Sequence, residues 1–474
     1  MEPEKFIIRN EFISSDNILD LKNPYLNKTV KRVYKSSKED VNESLNYLTS
    51  VQKKYRKLPV YLKAELLEKI SDKIKQKKED LAKLITLETG KPLMYSKIEI
   101  DRAILTFKLG AELSKQIEGE VLNLDLLKGS ENKTGIVKRF PVGVVLAITP
   151  WNFPVNLVAH KISPALASGN TVLLKPASAS MSCGIEIGKI VKESADELSL
   201  GFTPVNVVTS SGSEIESFAS DSRVNLVSFT GSSAVGWKLK SKLVYQKVSL
   251  ELGGNAGVIV DENSDVEMAA KKLSVGGFAQ AGQSCISVQR IYVLESVLDK
   301  FLSLFTEEVK KVKFGNPFEE DTIVGPMINE EEAIRVERWT EEAVNTNGKL
   351  LLGGARTGAM FEPTILTDIN ENANVNSKEV FAPLVTIRKV KNFTEAIEYV
   401  NKSQFGLQAG VFTNDINNAF YAFDNIETGG VIINDVSAYR MDSMPYGGVK
   451  MSGNTREGVK YAIDEMTELK IMVI

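Results

Sequence analysis

Two cysteines and one histidine are the scarcest chemical resources of this 474-residue sequence. Cys183 and Cys285 are too few for a disulfide framework, and even with His160 they leave a structural zinc site short of ligands. One histidine offers a single candidate base for Ser-His-Asp chemistry and no pair for a two-histidine metal centre, so no metal is expected. An excess of one charge is also missing. Lys plus Arg number 58 against 61 Asp plus Glu, a net charge of −3, so no global positive field holds nucleic acid or an anionic membrane. No apolar run reaches the ~18 residues of a membrane span, and the opening Met1-Glu2-Pro3-Glu4-Lys5-Phe6 lacks the basic and apolar stretches of a secretory signal. A cytoplasmic location is expected. The common nucleotide fingerprints are absent too: there is no G-x-G-x-x-G, and Gly90-Lys91 is followed by Pro92, with Ile85 where a Walker A glycine would stand.

What is present is a chain that is 43% apolar and 25% charged, long enough at roughly 150 residues per domain for two or three domains. Leu66, Leu67, Ile70 and Ile74, then Leu81, Leu84 and Ile85, recur at helical steps and predict helices over 60–117. From Val142 short apolar runs alternate with helical stretches: VGVVLAI, VNLVAHKISPALASG, TVLLK, a helix near 181–194, VNVVT and NLVSFT. Such alternation predicts an α/β fold with a mostly parallel sheet. A second α/β series runs from Ala256 to about Val449, with a helix near 265–280, another near 296–312, and strands near 383–390 and 430–434. Residues 118–141 are polar and strand-like, and the apolar tail 458–474 predicts an extended segment seeking a partner strand.

Four places offer chemistry. In Thr230-Gly231-Ser232-Ser233 a strand turns into a helix, which is either a plain turn or a helix N-terminus suited to a pyrophosphate. Gly282-Gln283-Ser284-Cys285 sets a thiol among small residues, although most cysteines, Cys183 included, are simply buried apolar groups. Glu251 ends an apolar strand beside Gly253 and Gly254, where the backbone can approach closely; a surface or ion-paired carboxylate is the ordinary reading. Asn152, between Pro150 and Pro154, follows VGVVLAI at the carboxyl end where parallel sheets place ligands, or else simply makes a turn.

PWNFP, ALASGNTVLLKPA, FTGSSAVG, LELGG, GQSC, Glu379-Val-Phe381-Ala-Pro383 and PYGGVKMSG, in that order, resemble the motif series of the aldehyde dehydrogenase superfamily over about residues 60–470. The end, SMPYGGVKMSG, is most like the archaeal glyceraldehyde and lactaldehyde dehydrogenase branch. The resemblance implies a Rossmann-type cofactor domain (1–117 and 142–251), an α/β catalytic domain (252–457) and a small β segment for homo-oligomer formation (118–141 and 458–474), giving a dimer or tetramer. It further implies that Cys285 is the nucleophile, that the Asn152 amide and the Cys285 N–H hold the oxyanion, and that Glu251 activates water to release a free acid. Acyl-transferring, coenzyme-A-dependent members lack that glutamate. Lys161 and Glu457 match proton-relay positions. Ile148, Trp151, Lys175, Ser178, Gly212, Gly231, Ser232, Glu379 and Phe381 match cofactor positions; Phe153, Leu157, His160, Ser284, Arg440 and Tyr446 match the substrate side.

Many NAD-preferring members carry Glu where this chain has Ser178. A carboxylate there would repel a 2′-phosphate, so serine beside Lys175 predicts NADP, with NAD or dual use the alternative. Phe153, Leu157 and His160 at i, i+4 and i+7 share a helix face. His160 offers either a hydrogen-bonding tip for a small hydroxylated aldehyde, favouring glyceraldehyde or lactaldehyde, or a satisfied buried ring. Arg440 is read as a solvated loop residue; binding an anion instead would favour glyceraldehyde 3-phosphate or succinate semialdehyde. A dinucleotide-binding protein without turnover is the alternative class, which the intact Cys285, Glu251 and Asn152 disfavour.

Overall fold

The computed structural model describes residues 2–474 and contains two seven-stranded sheets, a three-stranded sheet and small hairpins. The first large sheet runs, edge to edge, Lys247–Glu251, Val224–Thr230, Val144–Ile148, Thr171–Lys175, Val205–Val207, Phe6–Ile8 and Glu11–Ile13. Its first five strands are parallel and the last two form an antiparallel hairpin at the edge. Chain order reverses at Val144–Ile148, because later strands add on both sides of it. A parallel sheet opens a crevice beyond its carboxyl ends at such a point. Asn152, Thr230 and Glu251 all lie at that end.

Four residues, 252–255, carry the chain from Glu251 into the second sheet. Its order is Lys349–Leu352, Thr364–Thr367, Leu384–Val390, Val288–Leu294, Ala256–Val260, Gln408–Phe412 and Gly430–Ile433, parallel except for the first edge strand. The carboxyl ends of one sheet thus meet the amino ends of the other. Both sheets are covered by helices, so their central strands are buried and read as continuous apolar runs.

The helices follow the apolar spacing: Val60–Gln76 buries Leu66, Leu67, Ile70 and Ile74, and Leu93–Ser114 buries Ile100, Ala103, Ile104 and Phe107. Residues 6–55 hold the edge hairpin, the pair Ile18–Asn23 and Lys28–Tyr34, and the helix Lys38–Tyr55 with a Ser37–Asp40 capping box. The apolar tail does find a strand: Thr467–Val473 pairs antiparallel with Thr134–Pro141, which pairs with Glu120–Asn123.

Two expectations are corrected. The helix near 265–280 stops at Gly276, and Gln280, Ala281 and Gly282 follow with φ of 54°, 56° and 65°. The helix after PWNFP begins at Asn156, so Phe153 lies in the turn ahead of it, although Leu157 N–H still donates to the Phe153 carbonyl. Among the described residues, no helix is long and apolar enough to cross a membrane, and no cluster of three metal-ligating side chains occurs.

Candidate active site

The meeting of the sheets leaves a cleft of about 420 Å³. Trp151, Asn152, Phe153, Leu157, Gly231, Ser232, Glu251, Ser284, Cys285, Glu379, Phe381, Arg440, Tyr446 and Glu457 all line it. Close approach of the two halves depends on missing side chains. A Cβ at Gly253 would stand 2.3 Å from Glu379 Oε2, and one at Gly254 would stand 2.0 Å from the Cys285 carbonyl oxygen.

Cys285 sits on the loop before Val288–Leu294. The left-handed turn Gln280-Ala281-Gly282 leads into that loop, a conformation costing roughly 1–2 kcal/mol per L-residue, so neighbouring contacts must hold it. Gln280 Nε2 donates to the Asn152 carbonyl at 2.6 Å, and Gln283 Nε2 donates to the Gln280 and Pro326 carbonyls. Asn152 Nδ2 gives one proton to the Gln283 carbonyl at 3.1 Å, which leaves its second N–H available. Among the described residues the backbone N–H of Cys285 has no acceptor. Two donors on cleft-lining residues therefore remain unspent.

Burial pushes the Cys285 thiol up to about 12, although the Tyr446 hydroxyl 2.8 Å away draws it down. Glu251 is not the surface or ion-paired group of the ordinary reading. It is 3% exposed and neither carboxylate oxygen has a hydrogen-bond partner. Burial, reinforced by the negative Glu457, pushes its carboxyl well above the usual range. Burial thus disfavours both the thiolate and the carboxylate, so a proton leaving Cys285 needs the ionised form of Glu251 to receive it.

Behind the cleft lies a charged network. Burial raises the Glu457 carboxyl, but Lys161 at 3.4 Å and Arg440 at 2.9 Å outweigh it and hold the group at about 2. Lys161 does not line the cleft; it is fully buried and also donates to Ser228 at 3.0 Å. Arg440 is corrected from a solvated loop residue, since its side chain is only 7% exposed: Glu457 and the Tyr446 ring hold it inside. His160 likewise does not reach the cleft. Its Nε2 lies 2.8 Å from Asp442 and burial lowers its pKa, whereas its Nδ1 is buried without a hydrogen-bond partner, so the ring is buried but only half satisfied.

Of the expected cofactor positions, Trp151, Gly231, Ser232, Glu379 and Phe381 line the cleft, whereas Ile148, Lys175, Ser178 and Gly212 do not. Lys175 ends a parallel strand with no ion-pair partner, and burial lowers its ammonium to about 8, a state that an anion would relieve. Ser178 and Gly212 open short helical turns nearby in sequence and are exposed, Ile148 closes its strand almost fully buried, and Gly231 and Ser232 precede the helix Ser233–Lys240. Burial lifts the Glu379 carboxyl to about 7 while the Gly254 N–H, at 2.8 Å, pulls it down. Phe381 takes a left-handed φ of 53°, unusual for an aromatic, and meets Trp151 edge-to-face at 5.7 Å.

Several lining or supporting groups have no signal in the sequence. Arg102 gives Nε and Nη2 to Asp442, and Arg440 Nε is buried without a partner. Both arginines line the cleft. Gln280, Gln283, Lys91 and Glu99 come from segments that look like ordinary helix or loop, and only the assembled fold brings them to Asn152.

Residues 12–472 match the aldehyde dehydrogenase family. The chain is 42% identical over 468 residues to a 3-sulfolactaldehyde dehydrogenase of Priestia megaterium, covering 98% of this chain and 97% of that protein. Aldehyde dehydrogenase 21 of Physcomitrella patens, solved with its reaction product succinate, superposes with a TM-score of 0.96 at 41% identity, covering 100% of this chain and 99% of that one. Glyceraldehyde-3-phosphate dehydrogenase GapN of Methanocaldococcus jannaschii, complexed with NADP, gives 0.93 at 40% identity over 98% and 100%. With the cysteine, carboxylate and amide gathered in one cleft, the chain belongs to the aldehyde dehydrogenase family, and is an NAD(P)-dependent oxidoreductase of aldehydes.

Proposed function

We propose that the enzyme oxidises a small aldehyde carrying an anionic group to the free acid, without acyl transfer, and prefers NADP to NAD. The observation that carries the reaction type is the buried, unpartnered carboxylate of Glu251 in the same cleft as Cys285. Cys285 Sγ attacks the carbonyl carbon and its proton passes to the ionised form of Glu251. The carbonyl oxygen, now an oxyanion, accepts from Asn152 Nδ2 and the Cys285 N–H. A dinucleotide bound against Glu379 and Phe381 supplies the hydride acceptor. Loss of hydride leaves a thioester on Cys285. Once Glu251 has released the thiol proton to solvent, it takes a proton from water, whose oxygen attacks the thioester, and the Cys285 thiolate departs.

The substrate reading moves from a neutral hydroxyaldehyde to an anionic one because His160 is occupied, whereas Arg102 and Arg440 keep unspent donors toward the cleft. Forked guanidinium donors match carboxylate, sulfonate or phosphate oxygens. The 3-sulfolactaldehyde, succinate and glyceraldehyde-3-phosphate in the names of similar proteins support this class, while the lactaldehyde in the names of other similar proteins supports the neutral hydroxyaldehyde as the second reading. Ser178 and the unpaired Lys175 support NADP. We further assign 1–117 with 142–251 to cofactor binding, 252–457 to catalysis, and 118–141 with 458–474 to homo-oligomer formation, the last supported by exposed Val121, Leu126, Leu127, Leu469 and Met472 on or beside the three-stranded sheet.

A kcat/KM panel of glyceraldehyde, lactaldehyde, glyceraldehyde 3-phosphate, succinate semialdehyde and 3-sulfolactaldehyde, each with NAD and NADP, tests the assignment. An anionic aldehyde with NADP should lead, and Arg102→Met should raise KM for it selectively. Dominance of a neutral aldehyde overturns the substrate class, and an advantage for NAD overturns the cofactor preference.

A further inference from the structure

Tyr446 stands closer to the nucleophile than substrate binding requires. Its hydroxyl is 2.8 Å from Cys285 Sγ, its side chain is buried, and among the described residues that hydroxyl has no other hydrogen-bond partner. The ring is held in a closed arrangement. Tyr446 and Glu457 exchange backbone hydrogen bonds, the Glu457 carboxylate accepts from Arg440 Nη2 at 2.9 Å, and the Arg440 guanidinium carbon returns to stand 3.6 Å from the Tyr446 ring centroid. Arg440 Nε is buried without a hydrogen-bond partner.

Building on the dehydrogenase reading, we infer that Tyr446 is a further catalytic residue, whose O–H donates to the Cys285 sulfur whenever that sulfur carries negative charge. The direction of the hydrogen bond follows from Arg440. A cation over the aromatic face draws electron density from the ring, making the phenol a better donor and a poorer acceptor. The titratable and charged groups facing the sulfur are Glu251, Glu379, Arg440 and Tyr446. Glu379 and Glu251, when ionised, oppose a thiolate; Arg440 is cationic but reaches the sulfur across the Tyr446 ring, and only the phenol touches it.

Tyr446 would act twice without losing its proton. On attack, the S–H bond breaks, the proton passes to ionised Glu251, and the S–C bond forms, while the phenol stabilises the sulfur before the new bond takes up its electron pair. On hydrolysis the S–C bond breaks, its electron pair returns to sulfur, and the same O–H receives the leaving thiolate. Hydrogen bonds to charged groups are the strong ones, so both steps gain.

The test uses the full-length enzyme without aldehyde or cofactor, which separates it from the proposed reaction. Tyr446→Phe keeps the ring under Arg440 and removes only the hydroxyl. Iodoacetamide modification of Cys285 is followed by peptide mass between pH 7 and 9, with fully buried Cys183 as the silent thiol. If the thiol pKa rises by about one unit, the thiolate fraction falls about tenfold and its intrinsic nucleophilicity rises about threefold, so modification slows about threefold. Thiolate absorbance in the ultraviolet, which does not depend on reagent access, should titrate at correspondingly higher pH, and Arg440→Met, which keeps the hydroxyl, should shift it the same way by less. An unchanged or lower titration in a folded Tyr446→Phe variant overturns the inference. A shifted titration in an enzyme that oxidises no aldehyde overturns the proposed reaction and leaves the hydrogen bond standing.

Discussion

The ammonium of Lys91 lies 2.5 Å from the Glu99 carboxylate, with both side chains sealed from solvent, and the pair grips the segment that carries Asn152. Lys91 also donates to the Asn152 carbonyl at 2.9 Å and stands 3.8 Å over the Phe153 ring. The other Glu99 oxygen accepts from the N–H groups of Val155 and Asn156 at the start of the next helix. Three of its hydrogen bonds end on backbone, at the Asn152 carbonyl and the Val155 and Asn156 N–H groups, so the segment that carries the Asn152 amide is held from behind.

Lys91→Met should leave Glu99 charged and uncompensated in the interior. Breaking a buried pair from one side costs about 3–5 kcal/mol, which a denaturant titration would register as a lower midpoint. A loss near zero would mean that the pair does not hold this segment.

Asn152→Ala should act on rate far more than on stability. Removing one oxyanion donor costs roughly 10²–10³-fold in kcat, while the lost bond to the Gln283 carbonyl is worth only about 1 kcal/mol. Steady-state kinetics beside a denaturation curve separates the two. Equal kcat for variant and wild type would remove Asn152 from the reaction.

Glu251→Gln should uncouple the two halves of the reaction. Rapid mixing should show at most one equivalent of reduced cofactor per site, followed by a stalled thioester detectable by mass, whereas Cys285→Ala should give none. Continued turnover of Glu251→Gln at the wild-type rate would take the hydrolytic role from this carboxylate.

The pH dependence follows from the same group. The pKa of Glu251 is raised by burial and by Glu457, so its base form is scarce at low pH and grows as pH rises. Thioester hydrolysis should therefore quicken by up to about tenfold per pH unit below that raised pKa. In stability the sign is opposite: the proton favours the folded state, a contribution present below the ordinary carboxyl range and lost as pH rises through the raised pKa. Single-turnover hydrolysis measured from pH 5.5 to 8.5, on the order of three units, checks the first, and a flat profile would refute it.

Ser178→Glu should weaken NADP use. A carboxylate beside the 2′-phosphate costs several kcal/mol, so kcat/KM for NADP should fall by about 100-fold or more while NAD suffers less. Parallel loss with both cofactors would place Ser178 away from the phosphate.

Much of the frame is legible before folding because it is local. Strands such as Val144–Ile148 and Thr171–Lys175 are buried on both faces and must be apolar throughout, and helices such as Val60–Gln76 show their buried stripe. Cys285, Glu251 and Asn152 stand out because each sits beside glycine or proline at the end of a strand or in a loop. The strands within 6–34 and the left-handed turn at 280–282 do not stand out, since their conformations depend on neighbours distant in the chain.

The amino-acid sequence by itself determined the chemistry available: one thiol in a loop of small residues, one carboxylate at a strand end, one amide between prolines, and too few histidines for metal work. The tertiary structure decided the state of each group. His160 is turned inward because Asp442 comes to it from a distant part of the chain, and Arg440 is buried because its own segment folds back to set Glu457 and the Tyr446 ring against it. The Glu251 carboxyl is pushed upward by burial and by Glu457, with no hydrogen-bond partner at its oxygens to offset them. Desolvation and charge pairing are set by what surrounds a side chain in space, and sequence neighbours supply only a small part of that surrounding.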